Sequence, residues 1–409
     1  MQRLSMKQNN LVLIIFLLIS SLLTANDFNT NMNYFGNLTT SSLNKDGFNT
    51  KGYEVDDVKN HFQLSTYSKL GIQATIYNND WMFVTQAVTH YKDNGLKADL
   101  TWLNVKYTLN SDFNIRGGRM QSSAFLNSDV RDIDYVNTWG LEPNAFYTML
   151  PMKFYDGIEI SYNKVIGEYY INLNLTPYGT LETSMDDLVS DSILSVKDIH
   201  IISFDISNND FKFKVTYGQV NINIPIEDTN YNQVIDGLKE ENDMSKYNYT
   251  DKKVSFLTLG LEYNYENYSL VSELAQISSN SLIADTIGYY TMLSYRYDKF
   301  IPFVMYSVSD NQKSHFDTTN IVDNSNQHFK EKLDQILYQT NNSQRTISLG
   351  FKYDLMVGVA LKFQLDKITI KDYGVDYSET TKRVGYTQRD AGVYDDSVYQ
   401  TTIGLSFVF

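Results

Sequence analysis

The chain has 409 residues, no cysteine, and 34 basic against 48 acidic side chains, a formal charge of -14 at pH 7. That balance excludes a nucleic-acid binder of the usual basic kind, and the lack of cysteine removes disulfides, thiol catalysis and cysteine-ligated zinc together. The 32 Tyr and 22 Phe, set among Asn, Ser, Asp and Thr with only five Pro, are strand material with one apolar and one polar face.

In chain order, residues 1–25 read as an export signal. Arg3 and Lys7 give a positive start, Leu11 to Leu23 is an apolar run, and Thr24-Ala25 offers a small residue for cleavage. The run is short for a membrane span of about 20 residues. Without Arg3 and Lys7 the balance becomes 32 against 48, about -16. Residues 26–409 are expected to form one domain, and no later run is long and apolar enough for a membrane helix.

Period-two alternation predicts strands at 28–40, 60–77, 81–91, 98–109, 113–119, 155–162, 168–178, 198–207, 211–223, 253–264, 268–277, 286–297, 301–309, 344–353, 356–366 and 398–409. Seven of the connections are tight and mostly rich in Asn and Asp: 78–80, 110–112, 163–167, 208–210, 265–267, 298–300 and 354–355. The others, several of them long, alternate strictly with these, and the longest is 120–154. Tight turns on one rim and long loops on the other predict an all-β transmembrane antiparallel barrel of sixteen strands. A barrel of that size is wide enough for water inside it. The last stretch, "TTIGLSFVF", alternates Ile403, Leu405, Phe407 and Phe409 with small or polar residues, and is expected to close the barrel against the first strand.

Several stretches resemble the sixteen-stranded outer-membrane porins of Gram-negative bacteria: "SKLGIQATI" (68–76), "IRGGRM" (115–120), "SDVRDIDY" (128–135), "YDGIEISY" (155–162), "LSYRYDKFIPFVMYS" (293–307) and "RTISLGFKYDLMVGVALKFQLDKI" (345–368). The resemblance implies a third long loop folded into the lumen, a homotrimer in the outer membrane, contact with lipid and lipopolysaccharide, and Phe409 as a signal for the barrel-insertion machinery. It implies passive passage of small hydrophilic solutes and ions, with no enzyme activity and no cofactor.

Strand parity turns Lys69, Lys106, Arg116, Arg296, Lys352 and Lys362 inward. Arg119 follows Gly117-Gly118, where a bulge could shift its direction; with the other six it makes the expected basic wall. The third long loop carries Asp129, Asp132, Asp134 and Glu142, with Arg131 among them. If it folds inward as the resemblance implies, acids oppose bases across the narrowest point and orient charged solutes. Glu159, Glu262 and Glu273 also face inward, as possible partners of the lysines. Trp139, Tyr147 and Tyr155 are expected to pack the loop against the wall rather than form a slide for solutes.

The remaining signals are weak. Phe329, Leu333, Ile336 and Leu337 have helical spacing, which fits a short helix over the mouth. Asp186, Asp187, Asp191, Asp228, Glu240, Glu241 and Asp243 lack calcium-loop spacing and read as solvated acids, so no metal site is expected. The histidines at 61, 90, 200, 315 and 328 form no zinc-protease pair, and no Gly-x-Ser-x-Gly stretch occurs. His90 is the one candidate base. The alternatives are a selective channel for a carboxylate or phosphate, and a plugged barrel serving as a surface receptor or adhesin. Net charge favours cations and the basic wall favours anions, so ion preference stays open.

Overall fold

The structure, a computed structural model, describes residues 28–46, 48–52, 55–64, 67–92, 95–150, 152–184, 193–223, 251–279, 284–312, 343–370, 382–384, 387–389 and 397–409. The expected signal, the helical spacing after Ser325 and the acidic runs at 186–191 and 228–243 lie outside these residues.

Sixteen antiparallel strands close into a barrel. In chain order they are β1 (Asn29–Leu43), β2 (Lys69–Tyr77), β3 (Trp81–Lys92), β4 (Gly95–Thr108), β5 (Phe113–Gln121), β6 (Phe154–Ile166), β7 (Tyr169–Ser184) and β8 (Ile193–Ser207). Then follow β9 (Phe211–Asn223), β10 (Lys252–Tyr265), β11 (Tyr268–Ser279), β12 (Thr286–Tyr295), β13 (Phe300–Asn311), β14 (Gln344–Met356), β15 (Val359–Ile370) and β16 (Ser397–Val408). The expected strand count and order are therefore the observed ones. β16 closes on β1 in the register Phe35↔Val408, and Tyr34 and Phe409 exchange backbone hydrogen bonds of 2.8 and 2.7 Å.

Each strand forms because its alternation gives one face to lipid and one to the interior. On β12, Gly288, Tyr290 and Met292 are buried while Ile287, Tyr289, Leu293 and Tyr295 are exposed. Exposed large apolar side chains recur at the same parity all round the barrel. Aromatic pairs belt the rim that carries the tight turns: Trp81 with Tyr107 (centroids 4.5 Å apart), Phe113 with Tyr162 (5.0 Å) and Tyr268 with Tyr295 (4.8 Å). Such belts mark a membrane interface.

Three tight turns share one device read straight from sequence. In Asn78-Asn-Asp-Trp81, Asn110-Ser-Asp-Phe113 and Asn208-Asn-Asp-Phe211, the Asn side-chain oxygen accepts from the backbone N–H two and three residues on, at 2.7 to 3.0 Å. Two other turns fall later than expected. The chain stays in strand through Ile166 and turns at Gly167-Glu168, and it stays in strand through Met356 and turns at Val357-Gly358. Gly167 and Gly358 supply the positive φ, +62° and +79°, that a two-residue turn needs. The predicted strand 60–77 begins only at Lys69.

Two of the long connections add a sheet the alternation did not reveal. Short strands 48–52 and 55–58 pair with 382–384 and 387–389 in a separate four-stranded sheet. Beside it, Phe48 and Val58 pack with Leu43, Ile368, Ile370 and Val398 in a small apolar cluster.

Candidate functional site

The connection from β5 to β6 is the organising feature of the interior. It leaves and returns at a neck where Ser122 N–H donates to Lys153 O at 2.7 Å. Its first residues bond to inner-face side chains of β9, β10 and β11. Thr216 donates to Ser123 O (3.1 Å), Thr258 to Ala124 O, Lys214 to Phe125 O (3.1 Å) and Lys212 to Leu126 O (3.0 Å). Leu126 N–H donates to Glu273 Oε2 at 2.7 Å.

The middle of the connection bonds to the other side of the ring. Lys69 Nζ on β2 lies 3.5 Å from Asp132, and Lys362 Nζ on β15 lies 2.9 Å from Asp134. Lys352 Nζ donates to Tyr135 O at 2.6 Å and sits 4.2 Å from the centroid of that ring. Gln364 Oε1 accepts from Gly140 and Leu141 N–H at 2.9 and 3.1 Å, and its amide donates back to Leu141 O. β10 and β2 are eight strands apart in a ring of sixteen, so one segment is tied to opposite walls.

The rest of the connection packs as a core. Trp139, Phe146, Tyr147 and Leu150 are buried against Val271, Ala275, Tyr290, Met292, Phe303 and Met305 of β11 to β13. Glycines make the room: a Cβ on Gly288 would collide with Met149, and one on Gly260 with Leu126. Glu273, at 2 % exposure, accepts from the Tyr147 and Tyr290 hydroxyls at 2.7 and 2.8 Å. Trp139, Tyr147 and Tyr155 are buried, so they pack and form no slide.

Electrostatics within the connection follow from these contacts. Burial pushes the Asp132 carboxyl up, but Lys69, Lys153 and Arg131 outweigh it and hold the group below the usual carboxylate range. Glu142 is likewise held low: burial opposes, and Arg131 dominates through Nε and Nη2 bonds of 2.8 and 2.5 Å.

The predicted site residues thus fall into three groups. Lys69, Lys352 and Lys362 meet Asp132, Tyr135 and Asp134 in direct contact, so these bases and acids anchor the connection and do not oppose each other across a gap. Glu142 is neutralised by Arg131 within the connection itself. Arg116 and Lys106 stand opposite each other on β5 and β4. Arg116 pairs with Glu159 (2.5 Å) over the ring of Trp102, while Lys106 makes no ion pair among the described residues. Asp129 is exposed near them.

Arg119 departs from the expected wall, and Arg296 lies at its tight-turn edge. Arg119 is three residues from Arg116 in an unshifted ladder with β6, which turns it to the outer face beside Asp156, at 2.8 and 2.7 Å. Gly118 takes a φ of +121°, yet the register runs through it unbroken. Arg296 lies past the end of β12 at the tight-turn rim, half exposed and bonded to Asp354 at 3.1 Å. Lys212 and Lys214 belong to the inner face but were absent from the predicted wall, although the alternation of Phe211, Phe213 and Val215 places them. Asp205 stands opposite Lys214, and Glu262 opposite Lys212. His90 lies 3.5 Å from Asp99, and nothing nearby assembles a nucleophile with it among the described residues.

The closed sixteen-stranded sheet, its outward apolar face and its aromatic belt define the fold of the outer-membrane porins. No protein-family model matches the sequence, and no curated protein matches it. Solved structures match the fold. OmpF of Salmonella typhi, in complex with daunomycin, is 13% identical, covers 94% of this chain and 98% of its own, and gives a TM-score of 0.55. An anion-selective porin from Comamonas acidovorans is 14% identical over 93% of this chain and 100% of its own, with a TM-score of 0.54. The trimer form of OmpT, an outer membrane protein of Vibrio cholerae, is 11% identical over 93% and 99%, with a TM-score of 0.52. At these identities the likeness is one of fold.

Proposed function

We propose that the chain is an outer-membrane porin whose β5–β6 connection folds into the lumen and narrows a water-filled passage for small hydrophilic solutes and ions. The observation that carries this is the tie between one connection and inner-face side chains on opposite walls, Thr258 of β10 and Lys69 of β2. The passage runs along the inner faces of β4 to β6, bounded by Lys106, Arg116 and Glu159, with Asp129 across from them. There polar and charged side chains remain, whereas the opposite side is filled. The trimeric state recorded for the V. cholerae protein supports a homotrimer here, with the tight turns periplasmic and the long connections outside. Phe409 pairs with Tyr34 at the seam.

Planar-bilayer recording of the refolded protein tests this: discrete conductance steps are expected, in threes for a trimer. A silent bilayer, with the protein verified as folded and inserted, overturns it. A second reading, a plugged barrel acting as a surface receptor, is favoured by one observation, the aromatic core of Trp139, Phe146 and Tyr147 against β11 to β13. Silence in the same recording is its signature.

A further inference from the structure

Beside Leu141 and Asn144 of the connection lies a cavity of about 20 Å³, bordered by Gln344 and Ser348 of β14, Asp366 of β15 and Gln400 of β16. Ser348 and Gln400 flank Asp366 on the neighbouring strands of the same inner face. Asp366 is 3 % exposed. Both of its oxygens accept from one donor, Gln364 Nε2, at 2.9 and 3.1 Å, and that amide is shared with Leu141 O. Its other neighbour, the Ser348 hydroxyl, is also neutral. Lys362, four residues along the same face, is engaged by Asp134. Gln344, equally buried, lines the cavity, and its Oε1 has no hydrogen-bond partner. Gln400 donates its amide to Ser41 at 2.9 Å.

We propose that this cavity binds one compact monovalent cation, either a bare alkali ion or the ammonium head of a small solute. A carboxylate offers about four acceptor positions, and removing it from water without an opposite charge is costly. Here most of those positions face neutral groups or none. The unpartnered Gln344 oxygen supplies a second ligand on the same wall. Glu142 also borders the cavity, but its charge is taken by Arg131, so Asp366 leaves one uncompensated negative charge to match one positive charge; a divalent ion, which gathers several carboxylates, is left undercompensated, and an anion is repelled. The volume suits one dehydrated ion or one ammonium group.

The test uses the full chain refolded in detergent, so it does not depend on conduction. Thermal midpoints are compared in KCl, methylammonium chloride and tetramethylammonium chloride at equal ionic strength, near pH 8. A site of this kind raises the midpoint by a few degrees, with the logarithm of the salt concentration, in at least one of the first two salts over the third, whose ion is too large to enter. A rise in methylammonium alone identifies the ammonium head, and a rise in both identifies the shared cation chemistry. Asp366→Asn removes the increment. If that variant does not refold, Gln344→Leu keeps the carboxylate and raises several-fold the concentration that gives the same increment. Identical midpoints in all three salts, or an increment unchanged in either variant, overturn the proposal.

Discussion

The inner faces of β4 to β6 and of β11 to β13 are built by the same alternation and end with opposite chemistry. The first arc carries Asn104, Lys106, Arg116, Glu159 and Ser161, and the second carries Val271, Ala275, Tyr290, Met292, Phe303 and Met305. What differs is the neighbour. The second arc meets Trp139, Phe146 and Tyr147 of the β5–β6 connection, and burying apolar area there holds that connection in place. The first arc has no such apolar cover: Glu159 is buried in its pair with Arg116, and the partly exposed Arg116 and Lys106 are the charges turned to water and solutes. The interior is thus divided between a wall packed against the β5–β6 connection and a wall that keeps its polar side chains, the one along which the proposed passage runs.

The sharpest way to break that division is to empty the packed side. Phe146 is fully buried and stacks edge-on to Tyr290 at 5.1 Å. Phe146→Ala is expected to cost about 4 kcal/mol of unfolding stability in detergent and to make single-channel current noisy as the connection loosens. Lys362→Met, which strands Asp134, is expected to cost about 3 kcal/mol by the same assay.

Acid acts on the anchors in the same direction. Asp132 and Glu142 are held below their unfolded values, so they add stability above about pH 4 and lose it as pH falls through the depressed values. Current fluctuations at neutral pH are therefore expected to be small, and to grow below about pH 4. On the open side, Lys106→Ala with Arg116→Ala is expected to move the reversal potential in a KCl gradient several-fold toward cations, since Glu159 is left unpaired. Arg119→Ala should leave that potential unchanged and shift stability by under about 1 kcal/mol, because its ion pair with Asp156 is on the outer face and partly exposed.

Much of the barrel was legible because period two is a local signal. Strand count and order, the alternate tight turns and the inward direction of Lys69, Lys106, Arg116, Lys352 and Lys362 all follow from residues one or two apart. The partners did not follow. Whether Asp134 meets Lys362 across open water or in contact depends on how the connection crosses the barrel, and that is set by packing and hydrogen bonds between residues more than a hundred positions apart, such as the Tyr147 hydroxyl and Glu273. Gly260 and Gly288 were the available hint, since a glycine on an inner face leaves room for a neighbouring segment. The sheet of 48–52, 55–58, 382–384 and 387–389 escaped for a similar reason, its strands being too short to show a period.

Solutes are proposed to pass along the inner faces of β4 to β6. Lys106→Cys tests it most directly, because the chain has no other cysteine to react. The single-channel current of this variant is recorded before and after a water-soluble, positively charged methanethiosulfonate reagent is added. A passage along this arc gives a stepwise fall in conductance in each open channel. Full labelling of the thiol, confirmed by mass, with conductance unchanged would contradict it.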